Sequence, residues 1–469
     1  MKAKRILLFL ALVMAGIAAM SFIIPDDGIN IGDAAIRFTS LHNIVESRVQ
    51  QDTPPAAETV EAVVPTPTTD SVTYYRRLVN SGNLRFWLPD PHYFDAFWRA
   101  AERAKQEHRT LRVLHYGDSQ IEMDHITSRL RSYMQHTFGG EGPGMIPFHT
   151  ITPIPFVRLG TSGELLHISS FGDSTTVHSR GNYGPMMQCF RLVGGSATAS
   201  VRPSNSKYAD EQVKTFNRVR LLANSRHGFT ATLSTIKGKG SQRQTAGAGL
   251  SALEWPADTL IAKGFRVNVS GSADLYALLV DGADGGVAVD NIPMRGCSGQ
   301  QFTLVSEALL TDAYAAMDAG LIILQFGGNS VPYLRTAEQV SKYCTSIGQQ
   351  IDYLHKCCPS AKILFIGPSD MSVSRQGKMQ TYPIIPQLID SLSATATSHN
   401  AAFWSIYHAM GGENSMLAWS RNGMAGSDYI HFSQRGADHM GDLLNEAFSN
   451  LYRLYQLEHS KKKRKTVIR

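Results

Sequence analysis

The sequence predicts an α/β protein built on a parallel sheet covered on both faces and interrupted by a β-sandwich. Three observations carry this. Continuous apolar runs such as Leu321-Ile322-Ile323-Leu324 alternate with helix-periodic segments in the C-terminal part, the pattern of buried parallel strands joined by helices. A further apolar run ends at Gly117, and Ile121, Ile126 and Leu130 then take up helical spacing, so a strand passes directly into a helix there. Between them the pattern changes: Phe229, Ala231 and Leu233 alternate with Thr230, Thr232 and Ser234, and Phe265, Val267 and Val269 with Arg266, Asn268 and Ser270. That period of two marks strands with one buried face.

In chain order, Lys2, Lys4 and Arg5 precede an uncharged run from Ile6 to Ile24, which as a helix spans roughly 28 Å, close to a bilayer core. Residues 1–24 therefore read as a signal anchor, or as a signal peptide if the small residues Gly16-Ile17-Ala18 form a cleavage site. Either way the body is exported, to the periplasm or cell surface, with the basic flank left in the cytoplasm. Residues 25–72, with Pro54-Pro55 and Pro65-Thr66-Pro67, read as a stalk. Residues 73–159 begin the main domain, with Asp90-Pro91 opening a helix that carries Phe94, Phe97, Trp98 and Ala101 on one side. The sandwich spans 160–286, where Val219–Leu222 and Leu275–Val280 supply further strands. The main domain resumes over 287–458, where helices at Ala337–Cys357 and Ile384–Thr397 separate strands at Lys362–Ile366 and Ala401–Ile406. A helix from about Ser433 to Leu457 closes it, and 459–469 is a basic tail.

The formal charge of +6 comes from the ends. Without the nine Lys and Arg of residues 2–5 and 461–469 the body carries 36 basic against 39 acidic residues, which argues against a nucleic-acid partner. Five cysteines in an exported chain invite a disulfide search. Cys344 and Cys357 fall on one predicted helix, about 20 Å apart along its axis and beyond bridging distance. Cys357 and Cys358 are adjacent, and Cys189 with Cys297 has no specific support. Buried free thiols are expected, and no spacing suits a metal.

Parallel sheets place their sites at the carboxyl ends of the strands, and four chemistry-bearing stretches sit at such positions. Gly117-Asp118-Ser119 puts a hydroxyl at a strand-to-helix turn, where free backbone N–H groups can face an oxyanion, although Asp118 or Ser119 could simply cap the helix. Gly296, within Val289-Asp290-Asn291-Ile292-Pro293-Met294-Arg295-Gly296, could bring a backbone N–H close to a reacting carbonyl, or serve only as a turn glycine. Asn329, in Gly327-Gly328-Asn329-Ser330, offers a side-chain amide, or a turn. Asp428-Tyr429-Ile430-His431 provides an imidazole able to take the serine proton and a carboxylate close enough to orient it. His115 reads instead as a packed core residue, His439 lies on the closing helix, and His408 has no evident partner.

Those four stretches, in that order, resemble the sequence blocks of the SGNH, or GDSL-type, hydrolases. The resemblance covers about Leu111–Phe148 and Gly286–Leu457, and it implies a flavodoxin-like α/β/α sandwich. In that fold Ser119 would be the nucleophile, His431 the base and Asp428 its support, with the Ser119 and Gly296 amides and Asn329 forming the oxyanion hole. Two positions depart from the family pattern: Gln120 stands where leucine is common, and Ser330 where aspartate is. A β insert between the first and second blocks is similar to that of peptidoglycan O-acetylesterases, where it resembles a carbohydrate-binding module. The expected activity is removal of O-acetyl groups from an envelope polysaccharide, without metal or cofactor. One alternative is transfer of the acyl group to a glycan beside a membrane-bound acyltransferase. Another is an idle glycan-binding protein.

Overall fold

A computed structural model describes residues 29–31, 34–36, 69–149, 154–172, 182–206, 209–236, 240–255 and 263–467. The expected membrane segment and most of the expected stalk lie outside these residues. Among the described residues no helix is long and apolar enough to cross a membrane. Two compact units emerge, 1–66 and 67–469. In the first, β1 (Ile29–Ile31) and β2 (Ala34–Ile36) form a short antiparallel hairpin.

Besides a separate hairpin of β17 (Ser372–Arg375) and β18 (Lys378–Thr381), the second unit holds a six-stranded sheet of β3 (Phe86–Trp87), β4 (Thr110–Gly117), β14 (Gly286–Pro293), β15 (Ala319–Gln325), β16 (Lys362–Gly367) and β19 (Ala402–Ser405), numbered along the chain. Its order is β14-β4-β15-β16-β19-β3, parallel except for the edge strand β3. Counting only the parallel strands in sequence order gives 2-1-3-4-5, the flavodoxin-like arrangement. Alternation splits each strand between two cores. Leu114, Tyr116, Ile322, Leu324, Ile363 and Phe365 face helices Glu307–Met317, Ala337–Cys357 and Ile385–Ser398. Val113, Leu321, Ile323, Leu364 and Ile366 face helices Asp95–Ala104, Thr127–Phe138 and Gln434–Val467. The helix Thr69–Asn80 begins inside the stretch expected to be stalk and is tied to the closing helix by Arg76 and Glu458 at 2.6 Å.

Between β4 and β14 the chain builds a nine-stranded antiparallel sheet. Its members are β5 (Gly144–Ile146), β6 (Val157–Ser162), β7 (Leu166–Ser169), β8 (Gln188–Pro203), β9 (Arg218–Ser225), β10 (Phe229–Thr235), β11 (Ser241–Ala246), β12 (Gly249–Trp255) and β13 (Phe265–Asp281). All but β7, whose Ile168 joins a core of the parallel sheet, contribute to an apolar core that includes Phe216, Trp255 and Phe265. The runs Phe265–Ser270 and Leu275–Val280, read from sequence as separate strands, are one strand. Along one edge β13 pairs with β10 up to Gly271 and with β9 from Asp274, and its register shifts against β8 between Ser270 and Ser272 and against β9 between Leu275 and Ala277. The strands form one hydrogen-bonded network, and that network reaches upstream of residue 160 to take in β5 and β6.

Arg112, on β4, is wholly buried and bonds Asp290 on β14 at 2.7 Å and Asp281 at the end of β13. Asp290 also accepts the Met145 N–H of β5 at 2.7 Å. The charged cluster therefore joins the two sheets. All five cysteines are buried free thiols.

Candidate active site

Register brings the first three blocks to one level. Gly117 pairs with Pro293 on one side and Gln325 on the other, so Asp118, Met294 and Phe326 leave the sheet together. Gly117 allows this crowding, since a Cβ there would lie 2.9 Å from Ile121 and 3.2 Å from the Gln325 carbonyl. Gly327 turns the third block at φ +120°, a conformation that excludes most side chains.

After Ser119 the expected helix is delayed. Short 3-10 turns occupy Ser119–Asp124, broken by a kink at Glu122 and Met123, and the α-helix starts only at Thr127. Met123, Asp124 and Ile126 take positive φ values of 57°, 63° and 60°, costly above all for a β-branched isoleucine. The buried Asp124 carboxylate offsets that cost by receiving both terminal nitrogens of Arg131, at 2.5 and 2.9 Å. The amides after Ser119 are also occupied: the Gln120 N–H donates to Asp118 Oδ1 at 3.0 Å and that of Ile121 to the Asp118 carbonyl at 3.3 Å. Asp118 thus caps the turn and leaves the Ser119 hydroxyl available.

Ser119 Oγ lies 2.9 Å from His431 Nε2, and His431 Nδ1 lies 2.8 Å from Asp428 Oδ2. Asp428 Oδ1 accepts the backbone N–H groups of Ile430 at 3.0 Å and His431 at 3.1 Å. Burial works to raise the Asp428 pKa, but these bonds outweigh it and hold the carboxyl below its usual value. With an ionised carboxylate on Nδ1–H, Nε2 is free to accept the serine proton.

Asn329 lines the same cleft as Ser119, of about 190 Å³, with Met371 and Ile406 among its apolar walls. Its amide is already engaged: Nδ2 donates to Asp118 Oδ2 at 3.1 Å and to the Cys297 carbonyl at 3.0 Å. Gly296, exposed and at φ +76°, lines a neighbouring cavity of about 740 Å³ instead. That cavity lies between the two sheets, with Phe156 and His167 from one side and Asn291 and Arg295 from the other.

Two of the other histidines weighed from the sequence, His115 and His408, have structural partners. His115 is buried between Gln325, 3.1 Å away, and Thr127, 2.9 Å away. Burial lowers its pKa to about 4 and keeps it neutral. His408, read as lacking a partner, has its Nδ1 2.8 Å from Ser405 Oγ.

Residues 245–439 match the GDSL-like lipase/acylhydrolase family. The chain carries an SGNH-type esterase domain. The matched span includes Asn329, Asp428 and His431, while Ser119 precedes it because the antiparallel strands separate the first block from the rest. A peptidoglycan O-acetylesterase structure shares the fold, with TM-score 0.61 and 21% identity, over 76% of this chain and 96% of that one. Family two carbohydrate esterases are looser likenesses. The Clostridium thermocellum enzyme has TM-score 0.26, 9% identity, 62% coverage of this chain and 100% of its own. That of Cellvibrio japonicus has 0.25, 10%, 64% and 99%. No curated protein sequence matches the chain.

Burial raises the Asp118 carboxyl to about 6, against the opposing pull of the Gln120 N–H, His431 and Asn329. Between the ordinary carboxylate range and that value, the folded esterase holds a proton that the unfolded chain has released. Its stabilising contribution is therefore full below the window and lost as pH rises through it. Asp118→Asn should flatten the dependence of Tm on pH between roughly 4 and 6 relative to wild type, as read by thermal denaturation.

Proposed function

We propose that this esterase removes O-acetyl groups from an envelope polysaccharide through an acetyl-Ser119 intermediate. The contact line from Ser119 through His431 to Asp428 carries the reading. His431 Nε2 takes the hydroxyl proton as Ser119 Oγ bonds to the acetyl carbon, and the carbonyl electrons pass to an oxyanion beside Asn329. Collapse breaks the bond to the sugar oxygen, which leaves with the proton from His431. Water then repeats the sequence on acetyl-Ser119, giving acetate and free enzyme. For Asn329 to face the oxyanion, one N–H must turn from the Cys297 carbonyl or be shared with it.

The cleft sizes support an acetyl ester of a large alcohol. About 190 Å³ beside Ser119 suits a short acyl group, while the cavity of about 740 Å³ next to it has room for sugar rings. Tyr333, 78% exposed at the rim of the smaller cleft, offers an aromatic face for a sugar.

The test is acetate release from O-acetylated peptidoglycan and from other acetylated polysaccharides, with mass spectrometry of the Ser119 peptide for an acetyl adduct. The expected result is acetate from a polymer and from a small acetyl ester, with little activity on long-chain esters. Polymer activity that appeared only as acetyl transfer to an added glycan acceptor would replace hydrolysis with transfer. No adduct and no acetate from any ester would leave a glycan-binding role.

A further inference from the structure

We infer that Gln120, which follows the proposed nucleophile, is a positioning residue that holds His431 against Ser119 by pairing with the two peptide groups on either side of that histidine; the inference rests on the esterase reading.

The Gln120 side-chain Nε2 donates to the Ile430 carbonyl at 2.7 Å, and the Phe432 N–H donates to Gln120 Oε1 at 3.3 Å. A primary amide presents one donor face and one acceptor, as a peptide group does, so it serves here as a fragment of neighbouring strand. The turn it grips needs an outside restraint. The His431 and Asp428 side chains are 47% and 48% exposed, and Tyr429 between them sits at φ +56°. Other bonds shape the turn from within or tie it elsewhere. The Gly426 N–H donates to the His431 carbonyl at 2.8 Å, and the Ser372 N–H to that of Tyr429 at 3.2 Å. The Gln120 bonds instead reach the segment that carries Ser119. They fix the spacing of nucleophile and base one residue from the reacting oxygen, where an error of about 1 Å can cost roughly 10²-fold in rate. A leucine at this position could make neither bond.

Gln120→Leu should lower kcat on a small acetyl ester by roughly 10- to 100-fold, with KM changed by less than about threefold. The rate of Ser119 labelling by a small fluorophosphonate should fall by the same factor as kcat. In a His431→Ala background the same substitution should cost nothing further, because Gln120 acts through the histidine. Gln120→Met repeats the comparison at similar length. Gln120→Glu, which keeps the acceptor for the Phe432 N–H, carries it if the apolar variants do not fold. A folded Gln120→Leu enzyme with unchanged kcat and labelling overturns the inference. So does an equal loss with and without His431, which would mark a contact to substrate instead. Wild-type enzyme that resists labelling, or Ser119→Ala that stays active, would count against the esterase reading itself and is distinguishable from either result.

Discussion

Ser119→Ala and His431→Ala should each reduce turnover of an acetyl ester by a factor on the order of 10⁶, and the double variant should be little worse than either alone. On the proposed mechanism there is no acyl-enzyme without the hydroxyl, and without the imidazole the hydroxyl stays protonated, so each change removes the same step. Asp428→Ala should cost less, because His431 can still accept a proton while its ring loses the anion 2.8 Å from Nδ1. Asn329→Ala should lie lower again, at about 10²–10³ in kcat with KM little changed, as for loss of one oxyanion donor. Steady-state kinetics on the four variants gives the ranking. Losses that multiplied in the Ser119/His431 pair would mean that the two do not act as a unit.

The second large effect concerns stability. Arg112→Met should destabilise the fold by about 3–5 kcal/mol, because it leaves the buried Asp290 carboxylate with no paired guanidinium and Asp281 with only that of Arg220, 3.8 Å away. Asp290, whose carboxyl burial already raises against the pull of Arg112, should hold its proton further above the ordinary range once that cation is gone. The deficit should then shrink toward acid pH and grow as pH rises. Denaturant unfolding at two pH values reads both size and direction. Arg112→Met with Asp281→Leu and Asp290→Leu should recover part of the loss, although the Met145 N–H would then lose its Asp290 acceptor and Arg220 its Asp281 partner.

Much of the parallel sheet and of the candidate site could be read from the sequence because such sites follow strand ends, and buried parallel strands announce themselves as apolar runs. Helix Ala337–Cys357 was legible to its last residue, and Thr336 with Gln339 supplies the capping box that starts it. Asp428 and His431 were legible as a pair because three residues of separation keep them within one turn. The delayed helix after Ser119 was not, since nothing in Met123, Asp124 or Ile126 signals positive φ. The Asn329 bonds to Asp118 and Cys297 join blocks far apart in sequence, and such pairings leave no periodic trace. Gln120 was visible as a departure from leucine, but its partners are main-chain atoms more than three hundred residues away, which composition cannot indicate. The two halves of β13 looked like separate strands because the bulges break their alternation.

The buried link between the sheets bears on how such a protein can be taken apart or inherited. β13 passes through residues 282–285 straight into β14, β5 pairs with β13, and Arg112 grips carboxylates from both sheets. The antiparallel part is accordingly not a cassette joined by hinges. A cut at Gly160 and Gly286 would leave Gly144–Ile146 behind as an unpaired edge and expose a cation with one of its two anions gone. Recombination between related genes would have to carry that strand and all three charged residues together, so the heritable unit is wider than the interruption seen along the chain.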